Sequence, residues 1–167
     1  MRRTLKFLHT MGAIGLMGAM ACLLVLLSFT PPSSALSGYA LMRAAMGAVA
    51  TWVFLPSLAL TLLSGLLALA QRVFHKAGWA WVKLATGVLM FEGGLVYVQG
   101  PMRQEAELSV AALAGTGDPA LLGQSLGAEA NTLWLLLIVA TANVMLGIWR
   151  PRLIRLPTST VAPRLES

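Results

Sequence analysis

Charge is scarce in this chain. Only 11% of its 167 residues are charged and 57% are apolar, and the few ionisable side chains leave four long intervals almost free of charge. A soluble domain has about a quarter of its residues charged. The composition therefore argues against a soluble domain and indicates a chain that is solvated by lipid.

Cysteine and the motifs of soluble catalysis are also scarce. The single Cys22 lies in an apolar run, where we expect a buried thiol, and one cysteine excludes an internal disulfide or a thiolate cluster. No P-loop, HExxH or CxxC pattern occurs. The net charge of +6 comes from basic residues that flank apolar runs. These residues do not form a basic face, so nucleic acid is not an expected partner.

Four apolar intervals are long enough to cross a bilayer as helices, since about 20 residues at 1.5 Å rise span the hydrocarbon core. The intervals are about residues 7–29, 44–70, 79–100 and 132–149. Lipid offers no partner for backbone polar groups, which leaves helices as the suitable form. The predicted fold is an all-α bundle of four transmembrane helices over residues 1–150. A flexible cytoplasmic tail follows at 151–167, and a short surface helix is predicted from Glu105 to Ala114.

Positive charge predicts the orientation of these helices. Of the twelve lysines and arginines, ten lie at the N-terminus, around the connection 71–78 and in the tail, which leaves Arg43 and Arg103 in the other two connections. Both termini and residues 71–78 are therefore predicted to be cytoplasmic. A cleaved secretory signal is the alternative interpretation of the basic N-terminus. Because the apolar run of about 23 residues exceeds the usual 7–15 of a signal core, we expect the first helix to be retained.

Ionisable groups inside the spans are functional candidates, because they are costly in lipid. His9, Lys83 and Asn143 are predicted to lie at one depth near the cytoplasmic leaflet, with His75 in the adjacent connection. Each of them can instead have a purely structural role, as a helix-end polar group or a side chain that reaches lipid phosphates.

Glu92 is the most costly of these groups. It lies about 14 Å along the third helix from Lys83 and on the opposite face, near the bilayer midplane. We expect its carboxyl group to be protonated, or hydrogen-bonded to Ser57, Thr51 or a trapped water. Such a group suits proton transfer, and it equally suits contact between helices.

Small residues and one proline predict how the helices pack. Gly15 and Ala19 form a small-xxx-small pair, as do Gly18 and Cys22, and such pairs let another helix approach closely. Pro56 is expected to kink the second helix, because proline removes a backbone donor.

Several short segments of this chain have a familiar pattern. They are Lys6-Phe7-Leu8-His9-Thr10-Met11-Gly12, Pro56-Ser57, Ser64-Gly65-Leu66, Trp81-Val82-Lys83-Leu84 and Phe91-Glu92-Gly93. These segments resemble an uncharacterised family of small bacterial four-helix integral membrane proteins. That resemblance implies a multi-pass protein of the bacterial cytoplasmic (inner) membrane.

A weaker resemblance concerns two of these segments. Lys6 and His9 in the first span, with Trp81-Val82-Lys83-Leu84 in the third, are similar to motifs of the HemJ-type protoporphyrinogen oxidases, which bind haem b. The resemblance implies that His9 is an axial or catalytic histidine and that Lys83 is a basic partner, which could pair with a haem propionate. His75 is the remaining histidine for a bis-histidine haem.

Two functions therefore stay open at this point. One is a redox-linked membrane protein that binds haem b through His9. The alternative is a non-enzymatic accessory subunit or small transporter component that acts through helix–helix interfaces. In that case the partner is a second copy, bound through the face of Gly15 and Ala19, or a larger membrane complex.

Overall fold

The computed structural model describes residues 2–70 and 78–149, and all regular elements in that part of the chain are helical. A π-helical turn at Ala50–Phe54 joins α2 to α3, and a second at Leu95–Gln99 joins α4 to α5. The two joined pairs are the α2–α3 rod and the α4–α5 rod. A 3-10 turn, Pro119–Leu121, precedes α6. The helices are α1 (Arg2–Ser28), α2 (Leu36–Val49), α3 (Leu55–Leu69), α4 (Gly78–Gly94), α5 (Gly100–Leu113) and α6 (Leu126–Trp149).

Four helical stretches in the described residues are long and apolar enough to cross a membrane: Arg3–Ser28, Leu36–Ala68, Trp81–Leu113 and Pro119–Trp149. The predicted all-α class with four long apolar helices is thereby confirmed. Most of the helices are longer than the predicted spans, because α2 begins at Leu36 and α5 ends at Leu113. The prediction of a separate surface helix from Glu105 was wrong, since this segment continues the α4–α5 rod. The predicted tail 151–167 lies outside the described residues.

Both rods accommodate a proline by a π-turn that ends two residues before it. Proline at position 56 leaves the carbonyl of Trp52 without its usual donor. In the wider turn, the Leu55 N–H instead reaches the Ala50 carbonyl, and the Gly100 N–H reaches that of Leu95 just before Pro101. The expected disturbance at Pro56 therefore takes the form of a π-turn within a continuous rod.

Contacts between helices establish an antiparallel bundle. On α1, His9, Gly12 and Gly15 meet Gly65, Thr61 and Ser57 of α3 in descending order. The contacts between α4 and α6 are antiparallel as well, since Lys83 contacts Gly147 and Gly93 contacts Leu136. The start of α1 and the end of α6 thus lie at the same end of the bundle, which we call the terminal end. Connections 29–35 and 114–125 form the opposite, loop end.

An apolar core fills the bundle between these ends. Met20, Leu23 and Met46 are completely buried there, and Phe54 and Leu133 join them. The two rods cross at Gly94, where an added Cβ would lie 2.8 Å from Leu58 Cδ2 and 2.9 Å from Phe54 Cζ. A side chain at position 94 would therefore push the rods apart.

The small-residue pairs of α1 face in different directions. Gly15 contacts Ser57, and Ala19 is buried in the core, so this pair joins α1 to the rest of the chain. This face is therefore used within the chain, and a homo-oligomer or larger membrane complex stays a prediction. Gly18 has open space around it, and Cys22 is exposed, contrary to the expected buried thiol. Both residues lie on the outer surface.

We predict that Gly12→Ala destabilises the bundle whereas Gly18→Ala does not. At position 12 the new Cβ would lie 2.5 Å from Thr61 Oγ1 and 2.9 Å from the Thr61 backbone nitrogen, so α1 must move away from α3. Overpacking of this kind costs about 1–3 kcal/mol. Thermal unfolding in detergent, followed by far-ultraviolet circular dichroism, measures the difference. Equal melting temperatures for the two variants would contradict the α1–α3 contact.

Candidate functional site

At the terminal end, His9 is held against α3. Its Nδ1 atom lies 3.0 Å from the Thr61 carbonyl oxygen and 3.1 Å from Ser64 Oγ. A carbonyl oxygen only accepts, so Nδ1 carries the hydrogen and donates it. The Ser64 hydroxyl in turn donates to the Leu60 carbonyl at 2.6 Å. The imidazole therefore ties α1 to α3.

Lys83 and Asn143 extend this polar cluster to α4 and α6. The Lys83 Nζ atom lies 2.9 Å from the position that a Gly147 Cβ would occupy, so the glycine makes room for the ammonium group. Lys83 also interacts electrostatically with His9. One turn further, Thr86 Oγ1 donates to Asn143 Oδ1 at 2.8 Å. The structure thus brings three of the predicted site residues to the same end of the bundle.

The surroundings of His9 test whether haem fits. One edge of the ring packs against Gly65, whose Cβ position would lie 3.6 Å from His9 Cε1. Because Nδ1 donates to a backbone carbonyl, Nε2 is the nitrogen that could ligate iron, and the ring is half-buried. Haem binding through His9 therefore stays a prediction. The predicted second ligand, His75, lies outside the described residues.

Glu92 differs from the other candidates because it points outward. Its side chain is exposed, and within residues 2–70 and 78–149 its carboxylate has no hydrogen bond or ion pair. Ser57 instead lies between α1 and α3, where its carbonyl accepts from Thr61, and Thr51 makes no bond to Glu92. The expected hydrogen bond within the chain is therefore not formed. Around the acid lie three exposed apolar residues, Val88 and Leu89 of α4 and Val96 of the following π-turn. These four residues form the Glu92 face.

The loop end holds a buried ion pair that the sequence interpretation missed. Arg43 of α2 donates from both terminal nitrogens to the two carboxylate oxygens of Glu129 in α6, at 2.8 and 2.7 Å. Arg43 is 0% exposed and Glu129 3%. Ser125 Oγ donates to the same carboxylate at 2.7 Å. The two-pronged geometry fixes distance and rotation between the two helices.

A second buried carboxylate lies beside this pair. Glu105 of α5 accepts from the Tyr39 hydroxyl and, at 2.7 Å, from the backbone N–H of Gly123. Gly123 has a φ of 79°, a conformation that glycine adopts without strain. The Arg43 guanidinium also lies 6.0 Å from the centre of the Tyr39 ring. Together these contacts attach α2, α5, α6 and the connection 114–125 to one another.

One signal in the sequence pointed to this cluster. Arg43 and Glu129 are isolated charges of opposite sign at the predicted ends of apolar spans, in connections expected on the same side. The pattern Gly123-Gln124-Ser125-Leu126-Gly127 also has GxSxG spacing, but a 3-10 turn precedes it where a hydrolase has a strand. The Ser125 hydroxyl donates a hydrogen bond to Glu129 instead.

Metal binding has no support in the described ranges, which contain no group of three or more histidine, cysteine, aspartate or glutamate side chains able to hold an ion. Comparison with known proteins gives no further guidance: no family model, no curated protein and no solved structure matches this chain. The two resemblances stated for the short segments therefore stay predictions.

We predict that Arg43→Met and Glu129→Met each destabilise the protein by about 3–5 kcal/mol, because each leaves a buried charge without a partner. The double variant should recover most of this loss, since a pair of apolar side chains needs no partner. Denaturant unfolding in detergent micelles measures all three.

The exposed pair of Arg103 and Glu107 provides a matched control. Its nitrogen and oxygen are 2.9 Å apart, but the two side chains are 64% and 66% exposed. Arg103→Met should therefore leave the unfolding transition close to that of the unaltered protein. A double variant as unstable as the sum of the two single ones would contradict the ion-pair interpretation.

Proposed function

We propose that this protein is a multi-pass protein of a bacterial cytoplasmic membrane and acts as a non-enzymatic accessory subunit. In this proposal it binds another membrane-embedded helix through the Glu92 face. Four helices of sufficient length and apolar character support insertion in the membrane. The distribution of lysine and arginine supports cytoplasmic termini.

The position of Glu92 is the observation that carries the proposal. Lys83 is at the terminal end, and Glu92 lies about 14 Å further along α4, close to the middle of a hydrocarbon core about 30 Å thick. An acidic side chain at that depth costs about 3 kcal/mol when it faces lipid. The buried carboxylates of the described residues have partners, since Glu129 accepts from Arg43 and Glu105 accepts from Tyr39.

The chemistry of the carboxyl group defines the partner. A helix that presents a hydrogen-bond donor at the same depth would satisfy the acid, and Val88, Leu89 and Val96 would pack against its apolar side chains. Hydrogen bonds between helices in lipid contribute about 1–2 kcal/mol in model peptides. A haem-based redox function stays the alternative, with His9 as its candidate ligand through Nε2, since Nδ1 is engaged with Thr61.

Photo-crosslinking tests the proposed contact. A photoreactive amino acid at Leu89, which is 66% exposed, should give an adduct with one polypeptide of defined mass. Glu92→Leu should weaken association about 5- to 30-fold, because it removes the hydrogen bond, whereas Glu92→Gln should retain most of it. The mass of the adduct distinguishes a second copy from a different subunit.

Ile138 on α6 provides the control position. It is 63% exposed and lies at a similar depth, because Leu136 of the same helix packs against Gly93. The same photoreactive residue there should yield lipid adducts alone. Lipid adducts alone at Leu89, or an undiminished protein adduct in Glu92→Leu, would exclude the Glu92 face as an interface.

The orientation has its own test. In a Cys22→Ser background, Ala120→Cys should react with a membrane-impermeant maleimide in intact spheroplasts, because the connection 114–125 is proposed to face outward. Ala77→Cys should react only after the membrane is permeabilised. The opposite labelling pattern would invert the proposed topology.

A further inference from the structure

An open groove of about 650 Å³ runs between α2 and α5 at the loop end. Small side chains let the helices approach closely here, as at Gly47, where an added Cβ would lie 3.2 Å from Ala106 Cβ. Arg103 and Glu107 line it on α5, and Trp52 lies at its inner end on the π-turn. The small residues in the lining are Ala44, Gly47, Ala48, Ala106, Ala111 and Ala114.

The depth of this groove follows from the α4–α5 rod and rests on the proposed orientation. Lys83 and Arg103 are twenty residues apart, which corresponds to about 30 Å of helix and matches the thickness of the hydrocarbon core. With Lys83 at the cytoplasmic edge, Arg103 lies at the outer edge. Glu107 is one turn, about 6 Å, further out, so the two charges span the layer of lipid headgroups.

The order of these charges matches a zwitterionic phospholipid. In such a lipid the phosphate lies next to the glycerol and the acyl chains, and the ammonium group follows it. Arg103 is the inner residue and suits the phosphate, whereas Glu107 is the outer residue and suits the ammonium. We propose that the groove binds the headgroup of a zwitterionic, ethanolamine-type phospholipid of the outer leaflet.

The contacts of the two side chains leave capacity for this ligand. Arg103 donates to Glu107 through Nε at 2.9 Å, and its two terminal nitrogens carry further donors. Glu107 accepts through Oε1, so its second oxygen is available for the ammonium. An exposed ion pair of this kind is weak in water. The lipid phosphate can therefore bind Arg103 while the ammonium group binds Glu107. Trp52, 76% exposed, lies beside the upper acyl chains, where tryptophan is favoured.

Quenching of Trp52 fluorescence tests the proposal in reconstituted bilayers. The full chain, with Trp79, Trp81, Trp134 and Trp149 replaced by Phe, is placed in mixtures of phosphatidylethanolamine and phosphatidylglycerol. Bromine atoms are carried on the acyl chains of one lipid or the other. We expect brominated phosphatidylethanolamine to occupy the site about two- to fivefold more than its mole fraction, the scale of an exposed ion pair. Brominated phosphatidylglycerol should show no such enrichment.

The charge-swapped double variant Arg103→Glu/Glu107→Arg is the decisive control. It keeps an ion pair on the same turn of α5 but reverses the order of the charges, so the preference should disappear while the helix content stays unchanged. Equal quenching by both lipids, a preference for phosphatidylglycerol, or a preference that survives the swap would overturn the proposal. Trp52 shielded from both lipids would overturn it as well, because protein would then fill the groove.

One further variant separates this site from the proposed subunit contact. Glu92→Leu changes the Glu92 face and leaves the groove intact, so the lipid preference should persist in it. Loss of the preference in Glu92→Leu would count against an independent lipid site. If the quenching experiment shows no lipid preference, the predicted crosslink from Leu89 still stands, because it tests a different face.

Discussion

The ion pair between Arg43 and Glu129 constrains the loop end of the bundle, because two opposite charges there lie out of contact with water. Each charge would be costly alone, and the pair is tolerable only when both prongs of the guanidinium meet both carboxylate oxygens. That geometry sets the distance between α2 and α6. Glu105 of α5 accepts hydrogen bonds from Tyr39 and Gly123, and these bonds attach α5 and the connection 114–125 to the same cluster.

Polar groups inside the bundle are arranged by depth. The ion-pair cluster occupies the loop end, the contacts of His9 and Asn143 occupy the terminal end, and an apolar core separates them. Each cluster joins helices that are distant in sequence. Against this arrangement, Glu92 is distinctive because it lies between the two clusters in depth and on the outside of the bundle. The hydrogen-bonded groups join the helices, whereas the carboxyl group of Glu92 has no hydrogen bond within residues 2–70 and 78–149.

The two rods share a construction that helps to explain their packing. Each has a π-turn that ends two residues before a proline, at Pro56 and at Pro101. A π-turn widens the helix locally and restores backbone hydrogen bonds next to the proline. The rods cross close to these turns, where Phe54 packs on Gly94. The continuous rods carry α2 and α5 beyond the apolar spans and so form the groove at the loop end.

The sequence by itself determined the helical class, the four long apolar helices and the proximity of His9, Lys83 and Asn143, because apolar length and antiparallel order suffice for these. It did not determine which face of a helix turns inward. Gly15 and Ala19 pack inside while Gly18 and Cys22 face out, although the two pairs look alike in the sequence. Likewise, only the tertiary structure paired Arg43 with Glu129 and left Glu92 exposed. Such pairings depend on the rotation of each helix about its axis, which is set by contacts between residues far apart in the chain.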